Sequence, residues 1–139
     1  MTPQAARFLD KAQKLLAEAN TMLSVGLNDA AGRTAYLAGY HVAQAFIFER
    51  LGRVLKTHNG VQTEFLRLTK EDAGIDPDLR NFLSRTYNLK AIADYETGPG
   101  SEISRERAAE AVDACKRFVA HISPLVPTLV SRSDSGAQS

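Results

Sequence analysis

The stretch Asn28–Leu51, NDAAGRTAYLAGYHVAQAFIFERL, decides the fold. Between Ala35 and Phe48 it is apolar on almost every face, and it contains no proline. A helix that is hydrophobic all round is buried, in a protein core or in a membrane. Crossing a bilayer takes about 20 uninterrupted apolar residues, whereas Arg33, His41, Gln44, Glu49 and Arg50 interrupt this run. The stretch is therefore read as the central core helix of a soluble bundle.

The segments on either side agree with a bundle. Upstream, Thr2-Pro3 opens a helix, since proline is tolerated where the backbone N–H has no partner, and Phe8, Ala12, Leu15, Leu16, Ala19, Met22 and Leu23 recur on one face. Gly26 ends that helix and Asn28-Asp29 is expected to cap the next, so the first two helices should be antiparallel neighbours. Downstream, Gly52 stops the central helix, RVLKTHNG reads as a loop, and Val61, Phe65, Leu66 and Leu68 support a short helix over 60–68. Asp76-Pro77 is an N-cap followed by a proline at the first helical position. The spacing then predicts a helix over 77–96, with Leu79, Phe82, Leu83, Thr86, Leu89 and Ala93 on its apolar face. The last helix begins near Ser101 or Ser104 and has the clearest period: Ala108, Ala111, Val112, Cys115, Phe118, Val119 and Ile122. Pro124 and Pro127 stop it. The expected fold is all-α, an up-and-down bundle of four long helices with one short inserted helix, forming one domain over 1–127 before a disordered tail at 128–139.

Composition narrows the function mainly by exclusion. The 139 residues carry a formal charge of +1, so any basic site must be local. One cysteine, Cys115, excludes an intramolecular disulfide, and with three scattered histidines it offers no zinc spacing. Its place on the apolar stripe of the last helix makes it a buried hydrophobe rather than a nucleophile. No cofactor and no metal are implied. The N-terminus lacks the apolar run of a signal peptide or anchor, so no membrane partner is expected and a cytoplasmic location follows by default. The GPG at 98–100 follows a helix rather than a strand, so it lacks the context of a phosphate loop; nucleophile-elbow and HExxH motifs are absent.

Three stretches point further. AYLAGYHVAQA at 35–45, KTHNGV at 56–61 and KAIADY at 90–95 resemble, in order and separation, motifs of the HEPN family of small helical nucleotide-binding or ribonuclease domains. The alanine-rich RERAAEAVDACKRFV of the last helix resembles that family too. The resemblance covers about residues 8–123 and is to the compact group often encoded beside a minimal nucleotidyltransferase. It implies a homodimer, such a transferase as a possible partner, and RNA or a nucleotide as ligand. Active members resemble metal-independent endoribonucleases that use an arginine followed, after four to six intervening residues, by a histidine on the next-to-last long helix. A cation of that kind stabilises phosphorane charge, and an imidazole moves protons to or from the ribose 2′-hydroxyl. Here that helix has no histidine, and Lys90 stands where the arginine would be. Arg53 and His58 satisfy the literal spacing, but in a loop, and roughly 0.7 such matches are expected by chance in a chain of this composition.

Antiparallel packing of the central and 77–96 helices, each rising about 1.5 Å per residue, would bring Arg33 and Tyr36 near Lys90, Asp94 and Tyr95, and His41 near Arg85. The candidate catalytic residues are thus Lys90, Asp94, Tyr95 and His58, and the candidate nucleotide- or RNA-binding residues are Arg33, Tyr36, Arg85 and Asn88. The alternative is structural: Lys90 and Asp94 as an exposed i,i+4 pair, Arg33 and Asp94 as an interhelix pair that fixes register, and His58 as a helix cap. His41 reads as a satisfied core histidine, and His121 as a cation suited to a helix C-terminus. Two functions stay open: a nucleotide- or RNA-binding module acting with a transferase, and a metal-independent endoribonuclease toxin.

Overall fold

The computed structural model describes residues 1–72 and 74–127, and the tail expected at 128–139 lies outside them. Six α-helices follow one another: α1 (Pro3–Ser24), α2 (Asn28–Leu51), α3 (His58–Thr69), α4 (Pro77–Arg80), α5 (Phe82–Tyr95) and α6 (Arg105–Ile122), with a 3₁₀ turn at Ser123–Leu125. Among the described residues there is no strand, and no helix is long and apolar enough to cross a membrane.

The central element is α2, which packs against α1 on one side and α5 and α6 on the others. Small side chains make this possible. The fully buried residues of α1 are alanines, Ala5, Ala12 and Ala19, while Ala31, Ala35, Ala38, Ala43 and Ala45 are buried along α2. On the α5 side, two glycines set the approach. A Cβ on Gly39 would run into the ring of Phe82, and one on Gly32 would come within 3.3 Å of Ile103 and 3.5 Å of Leu89. Phe82 stacks on Phe118 of α6 at 4.7 Å, and Phe118 meets Phe65 of α3, which meets Phe46 of α2. One ring chain thus ties four helices into a common core.

The buried set of α6 is the stripe its periodicity predicts, from Ala108 to Ile122. Ser104, one of the two expected starts, is its N-cap and accepts from the Arg107 N–H. Three details differ from expectation. Neither Asn28 nor Asp29 caps α2; the Asp29 carboxylate instead accepts from the Ile103 N–H at 2.8 Å, fastening the segment before α6 to the start of α2. The helix expected over 77–96 bends at Asn81, whose φ of −96° and ψ of 5° are not helical. The hydrogen-bond ladder still passes through the bend, from Asn81 N–H to Pro77 O and from Arg85 N–H to Asn81 O. Finally, α3 starts two residues earlier and runs longer than expected, because the Thr57 hydroxyl accepts from the Gly60 N–H and caps it. Its far end is closed by Arg80, which donates to the Leu66 carbonyl and the Thr69 hydroxyl.

Candidate functional site

On α5, Lys90 and Asp94 lie one turn apart, and the ammonium reaches the carboxylate at 2.8 Å. The second oxygen of Asp94 accepts from Arg33 Nε at 2.7 Å, across to α2. One carboxylate thus bridges two cations from two helices, leaving a local excess of one positive charge. The hydrogen bond from Lys90 outweighs burial and holds Asp94 below the usual carboxylate range. The same bond raises Lys90 above the usual ammonium value. Arg33 keeps 44% of its side-chain surface open, so its remaining N–H groups are available to an incoming anion.

Next to this network stands His58, the first residue of α3. Thr57 does the capping, and the imidazole turns inward so that its Nδ1 lies 2.8 Å from the hydroxyl of Tyr36 on α2. Tyr87 of α5 stacks on the imidazole at 3.9 Å and packs edge-on against Tyr36. Burial lowers the pKa of His58 and, with its tyrosine neighbours, pushes the Tyr36 phenol well above its ordinary value. Both groups are therefore neutral near pH 7. Among the described residues the Tyr36 O–H has no other acceptor, so donation to Nδ1 satisfies it and leaves the imidazole proton on Nε2. In that state His58 is a hydrogen-bond donor through Nε2. It becomes a base there only if Nδ1 takes the proton and the Tyr36 hydroxyl turns to accept it.

Tyr87 joins the two groups, since it stacks on His58 and its phenol also acts on Lys90. The structure thus brings together Tyr36, His58, Lys90 and Asp94, from all three motif stretches, with Arg33 two residues before the first of them. Tyr95 stands at the rim of this cluster, 73% exposed, with its ring 5.6 Å from Lys90 Nζ. Arg85 and Asn88 are not brought in. Phe82 against Gly39 and Leu89 against Gly32 set a register in which Arg85 stands nearer the level of Tyr36 than of His41. Arg85 pairs with Asp78 at 3.0 Å and lines a different groove, of about 370 Å³, between α5 and α6. Asn88 and Arg53 are exposed.

Two supporting residues escaped the sequence reading. Tyr87 continues the spacing Leu83, Tyr87, Lys90, Asp94, a second stripe of α5 that was legible as a heptad-like run. Gln44 is a buried amide in an apolar stretch: its Oε1 lies 2.7 Å from His41 Nδ1, and its Nε2 donates to the Leu55 carbonyl at 2.7 Å. That chain pins the loop that leads into His58, and it makes His41 a satisfied, partly buried histidine. His121 is bonded to the Arg117 carbonyl of its own helix. Cys115 is buried, which pushes its thiol up to about 12 and removes it as a nucleophile.

The HEPN domain family matches residues 5–123. A UPF0332 protein of Archaeoglobus fulgidus is 32% identical over 109 residues, covering 78% of this chain and 84% of its own. The crystal structure of TT1696 from Thermus thermophilus superposes with a TM-score of 0.73 over 88% of this chain and 98% of that one, at 21% identity, which bears on the fold alone. With its all-helical core and with three converging motif stretches covered by the match, the chain belongs to the HEPN domain family.

Proposed function

We propose that the face formed by Arg33, Tyr36, His58, Tyr87, Lys90 and Asp94 binds the phosphate and base of a nucleotide or of RNA. The observation that carries this reading is the convergence of the three motif stretches, through Tyr87, on one cluster holding two cations, a neutral imidazole donor and a partly open aromatic ring. A phosphate group would compete with Asp94 for Lys90 and Arg33 and accept from His58 Nε2, while a base would lie against Tyr87. In isothermal titration of a mononucleotide in EDTA, Lys90→Ala and His58→Ala should each weaken binding by about tenfold. Affinity unchanged by both substitutions would sink the assignment.

A second reading has its own support. The arginine–histidine spacing of an active HEPN ribonuclease is missing from α5, yet a cation and an imidazole are assembled in space from Lys90 and His58. With the proton moved to Nδ1, His58 would take the proton of the ribose 2′-hydroxyl as that oxygen bonds to phosphorus, Lys90 would stabilise the phosphorane, and the 5′-oxygen would leave with the proton returned from the imidazolium. RNA cleavage in EDTA that is abolished by either His58→Ala or Lys90→Ala would establish it, and binding without cleavage would leave a binding module. The minimal nucleotidyltransferase implied as a partner would find Tyr95 the open phenol of the site. Its oxygen would form the new bond to the α-phosphorus of a nucleoside triphosphate, and pyrophosphate would leave. A two-fold homodimer is best placed on the other side of α5, with Arg85, Asn88 and Ile92. Sedimentation showing only monomer at tens of micromolar would remove it.

A further inference from the structure

The core helix α2 is not covered all round. Leu37, Tyr40 and His41 are only partly buried, while Ala35, Tyr36, Ala38, Gly39, Val42 and Ala43 around them are buried. This open strip lies between α1 and the His58 cluster and is paved with rings. Tyr40 stands 5.8 Å from Tyr36, His41 stands 5.8 Å from Tyr40, and Phe8 of α1 stacks on His41 at 6.0 Å. Lys11 of α1 lies close enough to oppose protonation of His41, which burial already disfavours, so that ring is neutral. Lys11 acts on the strip at His41, and in the neighbouring cluster Arg33 and Lys90 share the carboxylate of Asp94. In a chain with a net charge of only +1, these groups leave a local positive excess beside the rings.

Rings with a cationic border suit unpaired bases joined by phosphates, because every base offers a face for stacking and duplex RNA does not expose one. A two-fold copy of the same face would set cation against cation, which is unfavourable. We propose that the open side of α2 is a track for a single-stranded oligoribonucleotide, with a second base seated against Tyr40 and His41 beyond the one at Tyr87, and with Lys11 taking the phosphate at that end. This rests on the nucleotide reading of the His58–Lys90 cluster and extends it: the ligand is a chain rather than a mononucleotide.

Fluorescence anisotropy with labelled oligouridylates in EDTA tests it, comparing lengths of about two and about eight nucleotides, with uridine monophosphate as competitor. The longer oligomer should bind at least about tenfold more tightly. Lys11→Ala and Tyr40→Leu should each weaken it by about fivefold or more, while uridine monophosphate binding stays unchanged. Lys11→Ala should also reduce the salt slope for the long oligomer by about 0.7. Lys11 is exposed, so its variant tests the track without disturbing the core. Affinity independent of length, or untouched by both substitutions, overturns the track. If His58→Ala and Lys90→Ala weaken the mononucleotide while Lys11→Ala and Tyr40→Leu change nothing, the cluster reading stands and the track falls. The converse pattern, long-oligomer binding lost only with Lys11 and Tyr40, fells the cluster reading and overturns the track as an extension of it. A wild-type dimer split by Tyr40→Glu would make the strip a contact between copies and overturn the proposal.

Discussion

Helices α5 and α6 make an instructive pair. α6 gathers its large apolar residues on one stripe, and all of that stripe is buried. α5 carries two: Phe82, Leu83, Thr86 and Leu89 face the core, while Tyr87, Lys90 and Asp94 run along its flank toward α2 and α3. A helix that needs only one face to hold the bundle leaves nothing to explain. A helix whose second face is ordered by ion pairs and ring stacking, without contributing a core, is where the proposed site lies. The two faces should therefore fail differently when cut.

The largest effect is expected on the core side. Phe118 is fully buried and stacks on Phe82, so Phe118→Ala should cost about 3–5 kcal/mol, the transfer of the ring plus the cavity it leaves. Tyr87→Ala, at 39% exposure, should cost well under that, while weakening nucleotide binding. Urea titration measures both. Equal losses would mean that the flank of α5 is core after all, and the distinction between the two helices would collapse.

Gly39→Ala comes next. The added methyl meets the Phe82 ring, so α2 and α5 must part or Phe82 must leave its stack on Phe118. Overpacking of this kind costs about 1–3 kcal/mol. Gly98→Ala is the control, since a Cβ there meets nothing within 4 Å. Thermal unfolding that does not separate the two variants would show that the α2–α5 contact gives way easily, and a tight register could not then be credited with aligning Arg33 and Asp94.

How far the molecule could be read from its sequence follows the same division. The stripe of α6, the proline starts of α1 and α4, and the core role of α2 were legible, because burial repeats with the helix and leaves a period. The Arg33–Asp94 pair was legible too, once antiparallel packing of the two helices was assumed. The docking of His58 was not, because nothing local in KTHNGV says that α3 will carry its first residue to Tyr36, 22 positions back. Asp29 misled for a related reason. An aspartate at a helix start reads as a cap, whereas its partner, the Ile103 N–H, lies 74 positions away. Gln44 left a trace that can be used elsewhere: a lone amide in an apolar helix needs partners at both ends, and here they fasten the loop that leads into the site.

A smaller effect isolates the flank from the core. Tyr36→Phe keeps the ring contacts and removes only the hydroxyl, leaving His58 Nδ1 without its donor. The loss of stability should be about 1 kcal/mol. The sharper readout is the imidazole itself. Nitrogen-resolved NMR of His58 should show the proton on Nε2 in the parent and a mixture of tautomers in the variant. An unchanged tautomer would show that Tyr36 does not orient the ring, and its place in the site would rest on packing alone.

The smallest expected effect is a pH dependence, and it too divides the regions. Burial lowers both His41 and His58, with Lys11 adding to the shift at His41 and the Gln44 hydrogen bond opposing it. A group lowered in the folded state binds its proton first in the unfolded chain. Stability is therefore full above the unfolded histidine value of about 6.5 and falls as pH drops through it toward the folded values. Asp94, lowered by Lys90, contributes above about pH 4 and is lost only in stronger acid, while Lys90, raised by Asp94, contributes up to and beyond about pH 10. The interval from about pH 7 to about pH 5 thus reports on the two histidines. On the buried stripe of α6 the titratable group is Cys115, at about 12, which is silent there. The urea midpoint should fall across that interval, and a His41→Gln, His58→Gln double variant should flatten the fall. A slope that survives both substitutions would assign the acid sensitivity to groups outside the α2–α3–α5 face.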